Sequence, residues 1–112
     1  MAKVYIAGKI KDLPQAETAT KFKVAALKVL AKGHKAIDPF SFIKNHNEHL
    51  RLSGGMALSD NDPNQRKEIL KICIGLLMDC DYIYLLHDWQ DSEGATFEKQ
   101  VADFFNIPVF NV

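Results

Sequence analysis

The chain predicts an α/β domain: a parallel sheet of four to five strands, covered by helices on both faces in a three-layer sandwich. Three observations carry that expectation. Strand-like and helix-like runs alternate along the whole length in the order β-α-β-α-β-α-β, and such alternation builds parallel sheets joined by right-handed crossovers. Residues 82–86, Tyr-Ile-Tyr-Leu-Leu, are apolar nearly throughout, as a strand buried on both faces must be. Residues 15–32 place Ala19, Phe22, Ala26, Val29 and Leu30 on one side of a helix and Glu17, Lys21, Lys28 and Lys32 on the other.

Composition bounds the function. A chain of 112 residues makes one domain (residues 1–112), and 47% hydrophobic with 25% charged residues is ordinary for a soluble globular protein. Its 14 basic and 14 acidic residues cancel, so there is no general attraction to a nucleic acid polymer or an anionic membrane, and any phosphate recognition must be local. No apolar run approaches ~20 residues and the amino terminus passes directly into a strand, so neither a membrane span nor a signal peptide is expected, and the location expected is cytoplasmic. Cys73 and Cys80 lie in an apolar helical segment and read as small core residues rather than as a disulfide or metal pair.

Lys3-Val-Tyr-Ile-Ala-Gly8 is a first buried strand whose glycine opens a loop running to Pro14. The helix over 15–32 follows, stopped by Gly33. Residues 34–37 form a short strand that Asp38-Pro39 ends. Residues 40–62 fit neither period. With the turn chemistry of Ser53-Gly54-Gly55 and Asp60-Asn-Asp-Pro63 they predict a long loop, a lid or binding segment with partial disorder or a short helix. His46 and His49 could share a helical face there, but no third ligand accompanies them, and solvated histidines are the simpler reading; no metal and no cofactor are expected. Asp62 as N-cap and Pro63 as first residue start a helix with the stripe Ile69, Leu70, Cys73, Leu76, Leu77 and Cys80. The strand at 82–86, a closing helix and a strand at 108–110 complete the order.

The closing helix carries the anomaly. At about 100° per residue, Ala95, Phe97, Val101, Ala102, Phe104 and Phe105 span one apolar arc, and Glu98 falls in its middle. A carboxylate there must pair, accept hydrogen bonds, take up a proton or line a cavity. It is either a core Glu satisfied by a neighbouring Lys or Tyr, or a functional group. In parallel α/β sheets ligands bind beyond the carboxyl ends of the strands, where the loops after Gly8, after Ile37 and over 87–92 would converge. Ser92 is the expected N-cap, and the amides behind it could also hold a phosphate that Gly94 lets come close. A carboxylate nucleophile beside an anion site suits attack at a glycosidic carbon. Tyr5 would either orient that carboxylate or point into the core.

Three stretches carry a family resemblance: Val-Tyr5-x-x-Gly8, Cys-Asp81-Tyr-Ile-Tyr-Leu-Leu, and Trp89-x-x-Ser92-x-Gly94-Ala95-x-x-Glu98. Together they resemble the nucleoside 2-deoxyribosyltransferase-like superfamily, and most closely a small uncharacterised bacterial and phage family within it. The resemblance covers nearly the whole chain and implies a Rossmann-like (flavodoxin-like) fold. It implies Glu98 as the nucleophile that forms a covalent 2-deoxyribosyl intermediate and Tyr5 as its support, with Gly8, Lys9, Asp81, Trp89, Ser92 and Gly94 around the substrate. Relatives acting on free nucleosides carry aspartate at the position of Ser92, whereas those hydrolysing 5'-monophosphates carry serine. The expected substrate is therefore a deoxynucleoside 5'-monophosphate, and the expected assembly a homo-oligomer.

Two positions depart from the pattern. Lys9 replaces a phosphate-binding serine. Cys73 stands, counting back from Asp81, where active relatives place the aspartate that protonates the leaving base; Glu68, Asp60 or Asp62 would have to serve instead. The expectation is thus a nucleotide N-glycosidase or deoxyribosyltransferase, with a non-catalytic nucleotide-binding sensor or interaction module as the alternative. A flavodoxin-like electron carrier ranks lower, since no loop offers a flavin phosphate cradle.

Overall fold

The computed structural model describes residues 1–52 and 63–111. Its elements are β1 (Lys3–Ala7), α1 (Gln15–Ala31), β2 (Lys35–Ile37), α2 (Pro39–Leu52), α3 (Pro63–Met78), β3 (Tyr82–Leu85) and α4 (Glu93–Phe104), with a 3-10 turn at Trp89–Asp91. The fold is α/β, and the three strands form a parallel open sheet in the order β2-β1-β3. The central strand is β1, with Tyr5 opposite Ile37 on one side and Ile83 on the other. The chain therefore leaves β1 first toward one edge and later returns to the other, which puts the switch of strand order at the carboxyl ends of β1 and β3.

Alternation along β1 decides what each residue meets. Val4 and Ile6 pack against Phe22, Ala25 and Val29 of α1, while Tyr5 and Ala7 share a cluster with Ile69, Cys73 and Leu77 of α3 and Ala95 and Ala102 of α4. Tyr5 thus faces the same helices as Glu98. Both cysteines are buried and neither is in a disulfide, as core packing expects, and burial pushes the Cys80 thiol up to about 11.

Two helix stops are legible in single residues. Gly33, at φ 83°, closes α1 by donating to the Leu30 carbonyl while His34 donates to that of Val29. Asn106, at φ 60°, does the same for α4, with Ile107 donating to Ala102.

Two expectations are met in part. Among the described residues the sheet has three named strands, where four to five are expected. Residues 108–110 lie beside β3 but form only one bridge, Ile83 with Val109, because Pro108 has no N–H to give and only the two backbone groups of Ile83 find partners there. The stretch 40–62, expected as a long loop with partial disorder or a short helix, is helical in its described part, since α2 runs over Pro39–Leu52. Asp38 caps α2 by accepting from the Ser41 amide at 3.1 Å and the Ser41 hydroxyl at 2.8 Å, Pro39 occupies the first helical position, and Phe40 stacks on Phe22. Asp38-Pro39 is thus the same start signal as Asp62-Pro63. Residues 53–62, with the turn Ser53-Gly54-Gly55 and with Asp60 and Asp62, lie outside the described residues.

Gly8 follows β1 at a point of close approach. A Cβ there would stand 2.7 Å from Leu86 Cδ1 and 3.0 Å from Leu86 Cβ, so the neighbour's stem and not merely its tip obstructs a side chain. Gly8→Ala is expected to lower stability by about 1–3 kcal/mol in urea denaturation, and a loss below about 0.5 kcal/mol would show that the loop yields freely.

Candidate active site

Helix α4 begins where Ser92, in extended conformation, turns its hydroxyl to accept the Ala95 amide at 3.1 Å. Its buried residues are Ala95, Glu98 and Ala102, whereas Phe97, Phe104 and Phe105 are 47%, 79% and 51% exposed. The expected apolar arc is therefore only partly inward. The alanines let the helix approach the sheet and α3 closely, the bulky rings stay outside, and Glu98 occupies the centre of the buried edge.

Glu98 is 6% exposed and Tyr5 is fully buried; the Tyr5 hydroxyl donates to Glu98 Oε2. Burial pushes the Glu98 carboxyl up to about 7, against the opposing pull of the Tyr5 hydrogen bond. The Tyr5 hydroxyl is raised well above its ordinary range, first by burial and then by Glu98 and the adjacent Cys73, so it stays protonated and remains a donor. Near neutrality Glu98 is divided between an acid and a carboxylate whose second oxygen is not engaged by Tyr5.

A small cavity of about 60 Å³ opens over this pair, past the carboxyl ends of β1 and β3 and between α3 and α4. Tyr5, Gly8, Cys73, Ser92, Gly94 and Glu98 all line it, so six residues singled out from the sequence come together. A side chain at Gly94 would meet only ordinary contacts, 3.6 Å from Leu70 Cδ2 and 3.8 Å from Ser92 Oγ, so its smallness leaves room over the helix start.

Other expected site residues are elsewhere. Asp81 is not brought to the cavity: it belongs to the opposite end of the sheet, where its carboxylate accepts the Lys3 amide at 2.9 Å and ties the amino ends of β1 and β3. Lys9 does not line the cavity. Its amide donates to Asp88 Oδ1 at 3.1 Å, its carbonyl accepts Lys21 Nζ at 2.6 Å, and Lys21 and Asp88 pair at 2.6 Å. Partial burial pushes the Asp88 carboxyl up, but the Lys21 and Lys9 hydrogen bonds outweigh it and hold the group below its ordinary value. This lock joins the loops after β1 and β3 and positions Gly8. Trp89 sits in the 3-10 turn, half-buried against the α3–α4 core, and its carbonyl accepts the Ser92 amide at 3.2 Å. It supports the start of α4 and is outside the lining. Glu68 is exposed and paired with Lys71 at 3.2 Å, which removes it as a substitute acid.

Lys11 and Arg66 line the cavity without having been singled out, and Leu70, expected only as part of a buried stripe, lines it as well. Arg66 and Leu70 precede Cys73 by seven and three residues on α3, a spacing that puts them on one helical face. Lys11 lies in the loop already expected at the sheet's carboxyl end. The Arg66 guanidinium pairs with Glu93 at 2.9 Å across the tops of α3 and α4. His46 and His49 sit on α2, and among the described residues no group of three metal-ligating side chains occurs and no helix is long and apolar enough to cross a membrane.

Fold and site define a small parallel α/β domain with a buried Tyr–Glu pair opening to a cavity at the switch point of its sheet. The chain belongs to a family described as a domain of unknown function, DUF4406, whose model matches residues 2–111. No curated protein and no solved structure matches it.

Proposed function

We propose that the protein is a nucleotide N-glycosidase or 2-deoxyribosyltransferase of the nucleoside 2-deoxyribosyltransferase-like superfamily, acting on a deoxynucleoside 5'-monophosphate in the cytoplasm. The observation that carries the reading is the buried Glu98 carboxyl, held by Tyr5 and exposed to a cavity shared with Ser92 and Gly94. In this reading the ionised Glu98 oxygen attacks the anomeric carbon, a C–O bond forms as the C–N bond breaks, and the base leaves with its electron pair. Tyr5 holds the other oxygen. Water or a second base then resolves the ester. The phosphate lies over the start of α4, where amides and the Ser92 hydroxyl favour an anion that an aspartate would repel.

The finer architecture goes with this reading: a three-layer Rossmann-like sandwich in which the Ile83–Val109 contact belongs to a fourth strand. So does a homo-oligomer, for which the exposed Phe97, Phe104 and Phe105 on α4 offer an apolar face. A second reading rests on Cys73, which lines the cavity where the family pattern has an acid. Without that acid the protein would bind a nucleotide as a sensor and not turn it over.

Incubation with deoxynucleoside monophosphates and chromatography for free base separates the two. Release by the wild type above the level of Glu98→Gln supports the enzyme. Saturable binding with equal, background release by both proteins rejects it in favour of the sensor.

A further inference from the structure

A second, wider chamber of about 450 Å³ adjoins the cavity, and the two share Lys11, Arg66 and Leu70 as a common rim. Its wall adds Lys67 and Glu93. Three cations thus meet one carboxylate in a chain whose overall charge is zero. The charge is local: Lys11 and Arg66 stand on the rim shared with the Glu98 cavity, and Lys67 lies beyond it.

We propose that this chamber is a subsite for an oligophosphate group, so that the ligand is a nucleoside di- or triphosphate whose sugar reaches Glu98 and whose outer phosphates reach Lys11, Arg66 and Lys67. The inference rests on the nucleotide reading above and extends its substrate class beyond the monophosphate. The phosphate next to the sugar takes the start of α4, beside Ser92 and Gly94. A monoester would end there and leave Lys67, which lines only the wider chamber, without a role.

The Arg66–Glu93 pair makes the exchange inexpensive. The Glu93 side chain is 85% exposed and that of Arg66 27%, and ion pairs of this exposure contribute at most about 1 kcal/mol. A guanidinium offers parallel donors that fit two phosphate oxygens, so Arg66 can trade its bond to Glu93 for the ligand. Glu93 opposes an anion, and Lys11 and Lys67 outnumber it. Among the described residues neither lysine is held in an ion pair.

Calorimetric titration of the full chain with dAMP, dADP and dATP at fixed ionic strength tests this. Affinity is expected to rise about tenfold or more from mono- to triphosphate. Lys67→Ala should remove most of that gain while changing dAMP affinity little, and Lys28→Ala, which deletes an exposed charge at the last turn of α1, should leave the whole series intact. Equal affinity for the three nucleotides, absence of binding by all of them, or equal losses in the Lys67 and Lys28 variants would overturn the proposal. Base release with a flat affinity series would refute the subsite and keep the glycosidase. A steep, Lys67-dependent series without base release would keep the subsite and refute the glycosidase.

Discussion

Glu98→Gln is expected to abolish base release and, above pH 7, to make the protein more stable. Both effects come from one carboxyl. Its value is about 4.5 in an open chain and about 7 in the fold, raised by burial. Between those values the unfolded chain ionises while the folded protein keeps its proton, so wild-type stability falls as pH rises from about 4.5 to 7 and then levels. The interval corresponds to on the order of 3 kcal/mol. The amide carries no charge to desolvate, and its oxygen can still accept the Tyr5 hydrogen bond. Its N–H₂ group adds a buried donor pair whose burial costs about 1–3 kcal/mol, so the net gain above pH 7 should be about 0–2 kcal/mol and should turn into a loss in acid, where Glu98 is protonated and the donor cost remains. Urea midpoints at pH 5 and pH 8 check this, and wild-type and variant curves that run parallel would mean Glu98 is not desolvated. On activity, only the ionised carboxylate attacks, so wild-type kcat/KM should rise with pH through about 7, while the variant should fall by roughly 10⁴-fold or more.

That the anomaly was legible in sequence at all has a simple cause. One carboxylate inside an apolar arc breaks a periodic pattern, and periodic patterns report burial whatever the tertiary details. Ser92 and Gly8 were legible for related reasons, since a helix start and a strand end each restrict residue type. Periodicity alone misjudged which part of the arc turns inward. The α4 arc was drawn around phenylalanines, but packing against β1 and α3 selected the narrow edge of Ala95, Glu98 and Ala102, and hydrophobicity does not encode that limit of space. Asp38-Pro39 was legible as punctuation but ambiguous in direction, because a proline that ends a strand equally begins a helix. Asp81 was misplaced because sequence adjacency to β3 does not say which end of the strand holds the site. The Lys21–Asp88 lock, spanning 67 residues of chain, is a contact that no local pattern announces.

Cys73→Asp is expected to raise base release by about 10²- to 10⁴-fold, the ordinary worth of a positioned general acid. The position is suited to it. Cys73 is 6% exposed, lines the cavity with Glu98 and stands beside the Tyr5 hydroxyl, at the position where the superfamily pattern in the proposed reading has its acid. The adjoining free space of about 60 Å³ can take the small increase in volume. Two carboxyls so close do not ionise together readily, and the pair should titrate in two separated steps. Between those steps one site keeps its proton while the other is charged, which is the state the reaction needs, so the pH profile should change from a single rise to a bell. A stability loss of about 1–3 kcal/mol should accompany the gain, from burial of a second acid. Cys73→Ser, which alters the thiol without supplying an acid, should give no increase. If Cys73→Asp remains folded by circular dichroism and binds nucleotide, yet releases no more base than wild type, the missing acid is not what limits turnover.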